Sequence, residues 1–162
     1  MIMTQVRRKV LVLILSSLFF IFKGNAYPLF VCFTNNSALA DVTFSFANNP
    51  SLADLIFGIT QVGSLADYNV CFVDKPTSKS IDVCLINSAS TADHALCITT
   101  SPLADKTFYI TNNLPIADVS ICFSKSSTPF TTDIYLKGKG ANSITLEQKI
   151  ALVYKLVMKK SK

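Results

Sequence analysis

The chain has 162 residues, of which 50% are hydrophobic and 15% charged, which suits one domain with a buried core and excludes a disordered polyelectrolyte. The net charge of +5 is unevenly placed. Residues 1–26 and 137–162 are basic, whereas residues 27–136 hold four lysines against nine aspartates. Because nucleic-acid binding needs a basic face on the folded body, we expect no nucleic-acid partner.

Residues 1–26 have the pattern of an export signal. Residues 7–9 are basic, residues 10–22 are apolar apart from two serines, and residues 24–26 are small, as a signal peptidase requires. Thirteen helical residues reach only about 20 Å, short of the roughly 30 Å hydrocarbon core of a membrane. An uncleaved anchor is the alternative. We predict cleavage after Ala26 and a secreted or periplasmic protein.

The body, residues 27–140, is built on a repeat. The triplet Leu-Ala-Asp occurs four times and has four close variants. The eight repeat aspartates are Asp41, Asp54, Asp67, Asp82, Asp93, Asp105, Asp118 and Asp133. Their mean spacing is about 13 residues, which leaves room for one short strand and one turn per unit. The two gaps of 15 residues, before Asp82 and before Asp133, suggest short insertions around residues 74–79 and 125–129.

Six of the eight repeat aspartates are followed by apolar residues at the third and fifth positions, for example Phe44 and Phe46 after Asp41, whereas Asp82 and Asp133 have only the first of the two, Leu85 and Leu136. Alternation with a period of two indicates a half-buried strand. Residues 30–33 suggest an opening strand without its own aspartate. We therefore predict an all-β fold, a compact ring of about eight short-strand repeats.

The aspartates have two possible roles. Aspartate can accept hydrogen bonds from nearby backbone N–H groups and hold a tight bend before a strand, with the small alanine beside it allowing close packing of repeats. A calcium ladder is the alternative, but calcium solenoids carry glycines in their ligand loops, and these loops are not glycine-rich. We predict structural turns and no metal or other cofactor.

The iterated Ala-Asp unit, with its apolar residues three and five positions later, resembles the septoil knot domain family over about residues 27–138. This resemblance implies a small β-rich ring whose chain winds through itself as a seven-crossing knot. It implies no reaction, cofactor or active site.

The five cysteines are Cys32, Cys71, Cys84, Cys97 and Cys122. In an exported chain they could form disulfides among themselves, with at least one thiol left over, or remain small, buried and unreactive side chains. We favour the second interpretation. The lone histidine, His94, lies three residues from Cys97, but positions three apart on a strand point to opposite faces, which argues against a catalytic pair.

Residues 141–162 change to a helical period. Thr145 and Gln148 fit a capping box, and Leu146, Ile150, Val153 and Val157 form one apolar stripe. We expect this basic helix to dock on the acidic body, where it would close an open sheet edge. Binding to an anionic membrane surface through residues 145–162 is the alternative.

These patterns contain no recognisable catalytic motif, so we predict a non-enzymatic protein that acts as a persistent structural or binding module, as a monomer. The alternative function is an envelope- or membrane-surface-associated effector that uses the basic C-terminal helix. Neither interpretation identifies a ligand.

Overall fold

The computed structural model describes residues 27–138 and 140–158. The predicted signal, residues 1–26, and the basic residues 159–162 lie outside the described residues. As the alternating pattern predicts, the described chain is mostly β, with one C-terminal α-helix. The strands are β1 Leu29–Phe33, β2 Val42–Phe46, β3 Leu55–Thr60, β4 Tyr68–Val73, β5 Ile81–Leu85, β6 His94–Ile98, β7 Lys106–Thr111, β8 Val119–Ser124 and β9 Thr132–Gly138. The helix, α1, is Leu146–Leu156.

All nine strands are parallel and close into a barrel in the order β1-β5-β9-β4-β8-β3-β7-β2-β6. The sequence predicted about eight units; the sheet has one more strand, because the opening strand joins it. Each strand pairs only with strands that lie four or five places away along the chain. Consecutive strands are therefore never neighbours, and every step along the chain advances two places around the barrel.

The connections pass over the outside of the strands that they skip. Short 3-10 turns in these connections contact the skipped strand, as residues 50–52 contact β7 and residues 114–116 contact β3. The approach is close at Gly58, on the outer face of β3, where an added Cβ would lie 2.7 Å from Ala117 Cβ and 2.8 Å from Leu114 Cδ2. The expectation that small residues permit close stacking of the units is met at this point.

The barrel interior holds one buried residue from the centre of each strand. These nine residues have no exposed surface: Val31, Phe44, Phe57, Val70, Val83, Leu96, Phe108, Ile121 and Ile134. Their spacing along the chain is 13 residues throughout, except for one step of 12. The predicted insertions around residues 74–79 and 125–129 are therefore wrong, because the core repeat keeps its period across both segments.

The helix lies within the barrel, in the same hydrophobic cluster as the central strand residues. Ile150, Ala151, Leu152 and Val153 are four consecutive residues with no exposed surface, so α1 is buried on all sides and not along one stripe. Tyr154 packs against Phe44 and Phe108 with ring centroids 5.9 and 5.1 Å apart.

The predicted capping box is confirmed, since Thr145 Oγ1 accepts a bond from the Gln148 N–H and the Gln148 side chain accepts one from the Thr145 N–H. The docking prediction needs correction. The closed sheet has no open edge, and the helix fills the interior of the barrel instead.

Candidate functional site

Six of the eight repeat aspartates form the same contact, called here the aspartate clamp. The carboxylate accepts a hydrogen bond, 2.7–2.8 Å long, from the backbone N–H of a residue on the skipped strand. The clamps join Asp41 to Ala95, Asp54 to Thr107, Asp67 to Ser120, Asp93 to Phe30, Asp105 to Thr43 and Asp118 to Ile56.

Clamp geometry explains why an aspartate precedes the strand. In the first clamp, the N–H of Asp41 donates to the Ala95 carbonyl at 2.8 Å, and the Ala95 N–H donates back to Asp41 Oδ2 at 2.8 Å. The chain leaves the sheet at Ala40, so the carboxylate takes the place that a main-chain carbonyl would fill in a longer strand. The clamp thus completes the ladder at the point where each connection joins its strand.

Hydroxyl groups strengthen two of the clamps. Ser120 donates both its N–H and its hydroxyl to Asp67, each at 2.7 Å, and Thr43 does the same for Asp105 at 2.7 and 2.8 Å. These bonds stabilise the charged carboxylate and so lower the pKa of Asp67 and of Asp105.

Asp82 and Asp133 do not form clamps, because they lie inside β5 and β9, two residues later in the unit than the others. Ser80 and Thr131 stand at the repeat position instead. Asp82 accepts a bond from the Ser80 hydroxyl at 2.6 Å. Asp133 has no exposed surface and accepts bonds from Ser127 at 2.5 Å and Thr131 at 2.8 Å.

Asp133 also joins the two connections that lack a clamp. Lys79, in the β4–β5 connection, lies 3.3 Å from Asp133 and donates to the carbonyl of Thr128 in the β8–β9 connection. Burial acts to raise the pKa of Asp133, but the bonds from Ser127, Thr131 and Lys79 outweigh it and hold the pKa below its usual value. Sequence reasoning missed Lys79, although the two 15-residue gaps mark both segments.

Each clamp aspartate serves its own pair of strands, so the structure does not bring the aspartates together. In residues 27–138 and 140–158, no group of three or more His, Cys, Asp or Glu side chains could hold a metal ion. The prediction that each aspartate accepts bonds from backbone N–H groups nearby in sequence is wrong, because the clamp partners lie 53 to 63 residues away on the skipped strand.

All five cysteines occupy one position of the repeat, directly after the central buried residue and on the outer face of the barrel. All five thiols are free in the structure. Cys32 faces Ala95 on β6, so it is offset by two residues from Cys97 on that strand. Cys71 faces Ser124 on β8 and is likewise offset by two residues from Cys122. An offset of two residues along the strand, together with one strand spacing across the sheet, separates the two Cα atoms of each cysteine pair by about 8 Å. A disulfide requires the Cα atoms to lie within roughly 7 Å.

Four cysteines are buried and Cys84 is partly exposed. Cys84 lies on β5, the one strand that no connection between two strands crosses. Burial raises the pKa of the thiols of Cys32, Cys71 and Cys97. His94 and Cys97 lie on opposite faces of β6, as the strand period predicts.

A cleft of about 470 Å³ lies at the carboxyl ends of β4 and β9, beside the segment that leads into α1. Its polar lining comes from Asp74, Tyr135, Lys137 and Asn142. The cleft brings together none of the predicted site residues, since Asp74 is not a repeat aspartate.

Exposed aliphatic residues lie over one side of the barrel. They are Leu39, Leu52, Leu65, Leu103 and Ile116, each two positions before a clamp aspartate. Their clamps engage β6, β7, β8, β2 and β3 respectively. These five strands are consecutive in the sheet, in the order β8-β3-β7-β2-β6. The five residues thus follow one another around the outside, and they are called here the aliphatic arc.

Comparison with known proteins gives no relative. No protein-family model, no curated protein and no solved structure matches the chain.

The C-terminal helix offers little surface to a membrane. Its apolar residues Ile150, Leu152, Val153 and Leu156 are buried in the barrel, and Lys149 lies 5.5 Å from the centre of the Phe72 ring. In the described part of the chain, no helix combines the length and apolarity needed to cross a bilayer. Binding to lipid through the apolar residues of α1 would require those residues to leave the barrel.

Proposed function

We propose that this protein is an exported, non-enzymatic module that serves as a persistent scaffold for binding, and that its barrel is knotted. The observation that carries the proposal is the interleaved strand order, in which every sheet neighbour is four or five strands away along the chain. A fold of this kind has no local hairpin that can open alone.

The contacts along the chain support persistence. Clamp partners are separated by 53 to 63 residues in sequence, and the final segment fills the barrel with α1. Unfolding must therefore withdraw the helix and then unwind the connections from the strands that they cover. Long-range pairing slows folding by orders of magnitude, and stability of this kind is measured as a rate.

The resemblance to the septoil knot family supports the knot. The strand order supports it too, because the chain advances two places around the barrel per unit and crosses one strand each time. True knots are rare among protein folds, so the topology needs a direct test. The test is kinetic: unfolding and refolding of the exported protein in guanidinium, followed by stopped-flow and manual mixing. We expect slow unfolding, out of proportion to the equilibrium stability. Complete, reversible refolding within milliseconds would contradict the knot and the persistence together.

Export rests on the sequence pattern of residues 1–26. The expected result is an exported chain that begins at Tyr27, measured by intact mass. A mass that still includes residues 1–22 would contradict cleavage.

A further inference from the structure

Within residues 27–138 and 140–158, no element covers the aliphatic arc, although its residues are large and apolar. Leu103 is 89% exposed, Leu52 71%, and Leu39 and Leu65 59% each. Scattered exposed leucines need no explanation, but a contiguous set on one side of a molecule marks an interaction surface. Since the leucines are brought together by the strand order and not by sequence proximity, only the folded barrel presents them as one surface.

Charge around the arc is predominantly negative. The five connections that carry it, residues 34–41, 47–54, 61–67, 99–105 and 112–118, contain five aspartates and no lysine or arginine. These aspartates are exposed at the surface even though one carboxylate oxygen of each is committed to its clamp. Lys75, Lys79 and Lys125 lie in the two connections that lack a clamp, whereas Lys106 begins β7 directly after Asp105. Five aspartates against this lysine leave the surroundings of the arc negative.

We propose that the aliphatic arc binds a polypeptide whose surface combines apolar side chains with lysine or arginine. Contact between the partner's apolar side chains and the leucines buries apolar surface. The row of carboxylates favours a partner with positive charge. The arc is a poor surface for an anionic bilayer or for the same arc of a second copy, because like charges would face each other in both cases. This inference rests on the proposed binding role and names its partner.

The arc is also held rigidly, which favours binding. Four arc residues lie in 3-10 turns and Leu103 lies in a simple turn. The aspartate that follows each of them is hydrogen-bonded to the skipped strand, as in the bonds between Asp54 and Thr107 at 2.7 and 2.8 Å. A surface that is ordered before binding loses little conformational entropy when a partner docks.

The test uses the exported protein and two synthetic amphipathic helical peptides, one built from leucine and lysine and one from leucine and glutamate. Binding is measured by fluorescence anisotropy of the labelled peptides. We expect the leucine–lysine peptide to bind, the leucine–glutamate peptide not to bind, and binding to weaken as salt is raised.

Two variants locate the contact. Leu52→Ser combined with Leu103→Ser removes two arc leucines and should weaken binding by about tenfold or more. Tyr27→Ser is the matched control, because Tyr27 is 92% exposed and lies outside the arc, two residues before β1. The affinity of this variant should equal that of the unmodified protein. Both variants should keep the unmodified unfolding midpoint.

Four outcomes would overturn the proposal: no binding of the leucine–lysine peptide, equal binding of both peptides, full affinity in the double variant, or equal loss in the Tyr27 control. Arc-dependent self-association in sedimentation, or arc-dependent binding to anionic vesicles, would assign the arc to another occupant and overturn it too. Slow unfolding without peptide binding refutes the partner alone, whereas rapid refolding refutes the proposed persistence.

Discussion

Replacing Asp67 by alanine tests the role of the aspartate clamp directly. Asp67 Oδ2 accepts two bonds of 2.7 Å from Ser120, one from the N–H and one from the hydroxyl. Ser120 is only 9% exposed, so its N–H would be left without a good acceptor. An unsatisfied donor costs about 1–3 kcal/mol. Because Asp67 itself is at the surface and water can enter, we expect a loss of about 2 kcal/mol in the free energy of unfolding.

Asp74→Ala is the matched control. Asp74 lies in the exposed β4–β5 connection, and its carboxylate accepts no hydrogen bond within the described residues, so its loss should stay within about 0.5 kcal/mol. Asp67→Asn retains one acceptor oxygen and should fall between the two. The assay is equilibrium guanidinium unfolding by circular dichroism, after incubation long enough for slow chains to equilibrate. Equal midpoints for Asp67→Ala and Asp74→Ala, with unchanged slopes, would refute the clamp.

Three further predictions follow from the same contacts. Gly58→Ala should lower the unfolding free energy by about 1–3 kcal/mol, because its Cβ would meet Ala117 and Leu114. Gly63→Ala should lower the unfolding free energy by less, because the added Cβ meets only the Asn69 side chain. Thermal melts that rank the two variants in the opposite order would contradict the close packing at Gly58. Cys84 should react first with a thiol reagent, and the four buried cysteines should react only after the protein unfolds. If a Cys84→Ser variant is labelled at the same rate as the unmodified protein, this prediction is wrong. The folded pKa values of Asp67, Asp105 and Asp133 are lowered, so their stabilisation is complete above the unfolded carboxyl pKa of about 4 and is lost as pH falls through the folded values. The denaturation midpoint should therefore decrease below about pH 4, more shallowly in Asp67→Asn; a midpoint that rises on acidification has the wrong sign.

The sequence contains the local features of this fold because each one depends on neighbouring residues. The positions of the repeat aspartates, the alternating strands and the capping box follow from residues within one 13-residue unit or one helical turn, whereas the clamp bonds join residues 53 to 63 positions apart. Two local signals were misleading. Asp82 and Asp133 imitate the repeat position, but the central buried residues Val83 and Ile134 show that Ser80 and Thr131 occupy it.

The long-range features could not be read from the units. Nearly identical units can pair in many orders, and only closure of the barrel selects neighbours four and five strands apart. The interior position of α1 left a signal that a stripe interpretation overlooked. Residues 150–153 are four consecutive apolar residues, and a helix that is apolar on every side is a buried helix. The aliphatic arc also emerges only after the strand order is known.

The last strand explains why one sector of the barrel differs from the rest. In the ring order, β9 lies between β5 and β4, so it fills the final gap and closes the barrel before the chain enters the interior as α1. This closing strand carries the buried Asp133, and Lys79 reaches it from the connection that crosses β9. A strand that shifts by one register would place Asp133 in the apolar interior without its partners, at the high cost of an unpaired buried charge. Asp133 is buried while Lys79 remains 41% exposed, and we expect the pair to specify the register of β9 more than to add net stability. The departure from the clamp pattern thus falls on the strand whose register decides whether the barrel closes.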